Sequence, residues 1–113
     1  MGRPGEGDRM TAKVLFIPVE GAPEVREVGT TLEPLQALVG GLIEPAGLPW
    51  ARAGLLVVNE EGMVYDLPLN RNASVLAGQR ILGPAFFCRA GVLDKKDASL
   101  TNAEVKELLR RIG

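Results

Sequence analysis

Three short runs of consecutive apolar residues punctuate the chain: Val14–Ile17, Leu55–Val58 and Ala85–Cys88. Runs of four, bounded by turn-forming residues, have the length of a buried strand and are too short for a helix. After the first run and Pro18, Glu20-Gly21-Ala22-Pro23 supplies turn chemistry. Glu24-Val25-Arg26-Glu27-Val28 then reads as a more exposed partner strand, so the two segments predict a hairpin with its first strand inward and its second nearer an edge. Asn59-Glu60-Glu61-Gly62 follows the second run and predicts a tight hairpin turn, with Gly62 in the left-handed position. Met63-Val64-Tyr65 is then the returning strand, ended by Asp66-Leu67-Pro68. The third run extends backwards through Arg80-Ile81-Leu82, bent or bulged at Gly83-Pro84.

Helical periodicity lies between these runs. Leu35, Leu38, Val39 and Leu42 follow the i, i+3, i+4, i+7 spacing of one buried face. Thr31 is the expected N-cap and keeps Pro34 within the first turn, where its missing N–H costs least. Gly40-Gly41 interrupts this pattern, and two glycines inside a helix cost roughly 2 kcal/mol relative to alanine. They therefore serve a purpose, and helix termination or close packing is preferred to a ligand approaching the backbone. Glu44 to Arg52, with Pro45, Gly47, Pro49 and the sole tryptophan Trp50, reads as a loop. A short helix follows Asn70 as N-cap and closes on Gly78. Ala90 to Ser99 is a polar loop. Thr101-Asn102-Ala103-Glu104 matches a capping box, Leu100 and Val105 are placed for a hydrophobic staple, and Val105, Leu108, Leu109 and Ile112 form one stripe. Arg110 and Arg111 complement the helix C-terminus.

These elements predict an α+β fold in the order β-β-α-β-β-α-β-α. A single domain over residues 10–113 holds an antiparallel or mixed sheet of about five strands, two longer helices and one short one. The helices are expected to cover one face of the sheet. The polar, glycine-rich residues 1–9 read as a disordered leader.

Composition narrows the chemistry. At 113 residues, 46% of them hydrophobic, the chain can bury one core without disulfides or metals. Thirteen basic residues against 14 acidic ones give a formal net charge of −1. The basic residues are dispersed, with tight pairs only at Lys95-Lys96 and Arg110-Arg111, which argues against a nucleic-acid partner. There is no histidine, so Ser-His-Asp and Cys-His catalysis are excluded, as are zinc sites of the ordinary Cys/His kinds. No apolar run reaches the roughly 20 residues of a membrane span, and no signal peptide precedes Met10. The expectation is a cytoplasmic protein without metal or cofactor.

Few residues remain for chemistry. Cys88, beside Phe86 and Phe87, reads as a buried apolar side chain. Glu44, Glu60, Glu61 and Asp66 could furnish acid/base pairs or a hard-metal site, although Glu60-Glu61 fits a solvated turn. The preferred ligand-binding set is polar residues at the ends of apolar strands: Asn59, Asp66, Asn70, Arg71 and Asn72. Asparagine both donates and accepts, and an arginine fork suits a phosphate or carboxylate. The competing use is turn formation and capping, which accounts for the asparagines singly but does not need Arg71.

The segments I-P-V-E-G at 17–21, L-V-G-G-L-I-E at 38–44, V-N-E-E-G at 58–62, L-P-L-N-R-N-A at 67–73 and G-P-A at 83–85, taken in order, are specific in combination. Together they resemble a family of small phage, plasmid and actinobacterial proteins known only as a domain of unknown function. The resemblance begins at Met10 and implies a mobile-element accessory protein. Two activities are compatible with it. One is a non-catalytic binder, taking a host protein or sequestering a small anionic, nucleotide-like ligand in counter-defence. The other is a small enzyme acting on a nucleotide or modified base through carboxylate and arginine chemistry. The absence of histidine favours the binder, and a homodimer is compatible with either.

Overall fold

A computed structural model of the chain describes residues 11–48, 50–93 and 98–113; the leader and part of the 90–99 loop lie outside them. Strands β1 (Thr11–Ile17) and β2 (Glu24–Gly29) form the expected antiparallel hairpin. Helix α1 (Leu32–Val39) follows, then strands β3 (Ile43–Leu48) and β4 (Ala51–Asn59), helix α2 (Arg71–Ala77) and strand β5 (Ala85–Arg89). A 3-10 turn at Ala90–Val92 leads towards helix α3 (Asn102–Ile112). The order β-β-α-β-β-α-β-α holds, and every pairing in the five-stranded sheet β2-β1-β5-β4-β3 is antiparallel.

The Leu55–Val58 run is a strand as expected, within β4, but its hairpin partner is not the expected segment. Glu44 to Leu48, read as loop because of Pro45 and Gly47, belongs to β3 and pairs with β4. Proline is tolerated there because β3 is an edge strand, with a side on which no ladder hydrogen bond is needed. The hairpin partner of β4 thus precedes it in the chain. Met63-Val64-Tyr65 is a turn, and Gly62 does not take the left-handed conformation; Asp66 does, at φ 51°. Arg80-Ile81-Leu82 likewise lies outside the sheet and contributes a single bridge from Leu82 to Leu69.

Helices cover both faces of the sheet, contrary to the expectation of one. On one face Leu35, Leu38 and Val39 of α1 pack with Ala12, Val14, Val57, Phe86 and Cys88. On the other, Ala73 and Leu76 of α2 and Leu108 of α3 pack with Leu15, Ile17, Leu56, Ala85 and Phe87. Alternation of side chains along a strand divides neighbours such as Phe86 and Phe87 between the two clusters. Each fully buried leucine, isoleucine or phenylalanine contributes about 1.5–3 kcal/mol. Central strands buried on both faces need apolar residues at successive positions, and this is the origin of the continuous runs.

Local signals set the helix ends. Gly40, at φ 79°, closes α1 in the left-handed region that favours glycine. That stop leaves Leu42 outside the helix and 47% exposed. Thr31 occupies the N-cap position of α1 but makes no side-chain cap bond. Asn70 caps α2, and the capping box of α3 is complete. Leu100 is buried and Val105 packs on the same cluster, whereas Leu109 turns outward, leaving Val105, Leu108 and Ile112 as the inward stripe of α3.

Candidate functional site

The proposed polar set divides between interior staples and surface positions at one end of the sheet. β1 and β4 both run antiparallel to β5, so Ile17 and Asn59 finish at the same end. Asn70 is fully buried: its amide nitrogen donates to the Ile17 and Gly83 carbonyls at 2.8 and 3.0 Å, and its carbonyl oxygen accepts from the Ala73 N–H at 3.0 Å. Asn59 is nearly buried, donating to the Val39 carbonyl at 3.1 Å and accepting from the Glu61 N–H at 2.7 Å. Both asparagines therefore hold backbone together. Arg71 and Asp66 are exposed, and Asn72 is half-buried in the first turn of α2.

What Asn59 holds in place is the 60–66 turn. Its Oδ1 bond to Glu61 bends the chain out of β4, and the Glu60 N–H ties the turn to the Leu42 carbonyl at 2.8 Å. Backbone bonds from Tyr65 to Glu61 at 3.0 Å and from Leu67 to Gly62 at 2.9 Å close it. A Cβ on Gly62 would stand 2.8 Å from the Leu82 carbonyl oxygen, so only glycine allows this close approach. The turn presents Met63, Val64 and Tyr65 at 84%, 77% and 66% exposure. Three successive large apolar side chains exposed together form a contiguous apolar surface at this end of the sheet. Glu60, Glu61 and Asp66 flank it without a basic residue between them.

Beside the turn lies a recess of about 310 Å³, lined by Asn59, Glu44, Glu60, Met63, Gln79 and Arg80 among others. Of the five expected residues it receives only Asn59. Arg80, not Arg71, is the guanidinium beside it.

A second groove, of about 430 Å³, runs between α3 and the start of β4. The Phe87 ring forms its floor over Gly54, where a Cβ would collide with the ring. Trp50 stacks on Phe87 with centroids 6.1 Å apart, donates Nε1–H to the Leu76 carbonyl at 3.2 Å, and carries the Arg111 guanidinium 3.9 Å above its ring. Its charged rim is internally paired: Arg89 with Glu104 at 3.1 Å, and Arg111 with Glu107 at 3.0 Å. Partial burial raises the Glu104 pKa, but the Thr101 backbone N–H and Arg89 more than compensate and hold it below the usual carboxylate value. Cys88 is buried on the opposite face, and desolvation pushes its thiol up to about 12, so it stays protonated and unreactive at neutral pH. Among the described residues, no group of three or more Cys, Asp or Glu could hold a metal ion, and no helix is long and apolar enough to cross a membrane.

The strand-like residues Met63-Val64-Tyr65 predict a returning strand, whereas the structure places them in a turn. Nothing local in the sequence marks this segment as a turn: it stays out of the sheet because β4 already pairs with β3 and β5.

The fold and this surface define a small α+β domain: one antiparallel sheet covered on both faces, with an apolar, acid-flanked turn at one end. The chain belongs to the family described as Domain of unknown function (DUF3846), whose model matches residues 10–113. No curated protein and no solved structure matches the chain.

Proposed function

We propose that the protein is a non-catalytic binder of a partner protein, and that Met63, Val64 and Tyr65 are its anchors. The observation that carries this reading is their exposure on a turn whose backbone is already hydrogen-bonded. A turn fixed before binding loses little conformational entropy on docking, so more of the contact energy appears as affinity. The three flanking carboxylates outnumber the one guanidinium beside the turn, Arg80, and favour a partner with an apolar groove and lysine or arginine at its rim. In the phage or mobile-element setting that the resemblance implies, that partner is a host protein and the binding serves counter-defence.

A photo-crosslinker at Val64 identifies the partner by mass spectrometry. Met63→Ser with Tyr65→Ser should then weaken its binding by about 30-fold or more, a loss of about 2 kcal/mol. Thermal stability should stay unchanged, because the exposed side chains leave the core untouched. Undiminished affinity in the folded variant would refute the assignment.

A small enzyme is the second reading, supported by a recess that Glu44, Glu60 and Arg80 all line. Native mass spectrometry of the purified protein separates the two: a nucleotide released unchanged supports a sequestering binder, and released product supports the enzyme.

A further inference from the structure

The sheet ends in two unlike edges. β3 is protected by Pro45 and by a register break between Gly47 and Leu48, devices that discourage strand addition. β2 has neither. Glu24 to Gly29 pairs with β1 residue for residue without a bulge, and β2 contains no proline. Residues Glu24 to Glu27 are exposed, including Val25 at 48%. Among the described residues, no strand pairs with the outer row of backbone N–H and C=O groups on β2.

The charges on that edge select the strand. Glu24 and Arg26 stand on one face, joined by an ion pair of 2.6 Å, with Arg26 lying 4.3 Å over the Phe16 ring. Val25 points to the other face. We propose that β2 pairs antiparallel with β2 of a second copy of this chain, about a two-fold axis normal to the sheet and passing through Val25. Such an axis keeps each face on its own side, so residues that meet across it are separated by an even number of positions. A register centred on Arg26 or Glu27 sets like charges against each other at the axis. A register centred on Val25 sets Val25 against its own copy and Glu24 against Arg26 of the second copy, twice. The two intrachain ion pairs become a square of four alternating charges. The turn and its recess lie towards the opposite edge of the sheet, so this interface is independent of the proposed binding function.

Analytical ultracentrifugation of the full chain tests the proposal through charge exchange. Wild type should form a dimer that weakens as salt rises. Glu24→Arg and Arg26→Glu should each weaken self-association about tenfold by placing like charges in register. An equimolar mixture of the two variants should recover a heterodimer, and the double variant E24R/R26E should recover the homodimer. Should either single variant unfold by circular dichroism, Val25→Lys reads the same interface, because two ammonium groups at the axis should abolish the dimer. A wild type that stays monomeric at near-millimolar concentration overturns the proposal, as does a folded E24R or Val25→Lys variant that dimerises like wild type. Failure of the two single variants to associate with each other also overturns it.

Discussion

Asn70 shows how much a single side chain settles in this molecule. It satisfies three backbone groups from three parts of the chain: the end of β1, the residue before Pro84 and the first turn of α2. Replacing Asn70 with alanine leaves two carbonyls and an N–H without that partner in a buried place. Each buried group left unsatisfied costs about 1–3 kcal/mol, partly relieved by local adjustment. Urea denaturation should therefore show Asn70→Ala less stable by about 2–4 kcal/mol. The capping role of Asn70 was legible in the sequence, because Asn before a short apolar period and Gly78 after it are local signals. Its bonds to Ile17 and Gly83 were not legible, since those partners lie far along the chain. For the same reason the five polar residues read as one ligand set divide between staples and surface. The nearby arginine that reaches the recess is Arg80.

Helices α2 and α3 carry the chemistry of their ends in the local sequence. The capping box of α3 is an example: Glu104 N–H donates to the Thr101 hydroxyl at 3.2 Å, and Thr101 N–H donates to the Glu104 carboxylate at 2.8 Å. Glu104 also meets Arg89 of β5, so the cap ties the helix to the sheet. Thr101→Ala should cost about 1 kcal/mol, measured as a fall of a few degrees in Tm; Thr101→Ser should retain most of the stability. Strands carry no comparable end signal. β3 contains proline and glycine, is half exposed and lacks an apolar run, so nothing local distinguishes it from a loop. Its identity comes from the ladder that β4 offers it. The 60–66 turn illustrates the converse, since Met63-Val64-Tyr65 has strand-like residues but β4 already has partners on both sides.

At the scale of the whole molecule, β1, β4 and β5 are shared by both hydrophobic clusters, with neighbouring residues of each strand supplying opposite faces. Neither cluster can lose its strands while the other keeps them, so the domain should unfold in one step. Trp50 fluorescence, reporting on the α3 face, and far-ultraviolet circular dichroism should give coincident denaturation curves. A separate early transition in either signal would contradict this coupling.

The sequence by itself determined the α+β class, the element order, the first hairpin and the caps of α2 and α3. These follow from apolar runs and from residues that act on near neighbours. Tertiary structure decided which segment became β3 and paired with β4, how the helices divide between two faces, and which polar groups point outward. Those outcomes depend on pairing and burial between residues distant in the chain. The continuous runs in the central strands recorded two-sided burial, but the surface that the fold exposes at Met63–Tyr65 is set by what the neighbouring strands leave unpaired.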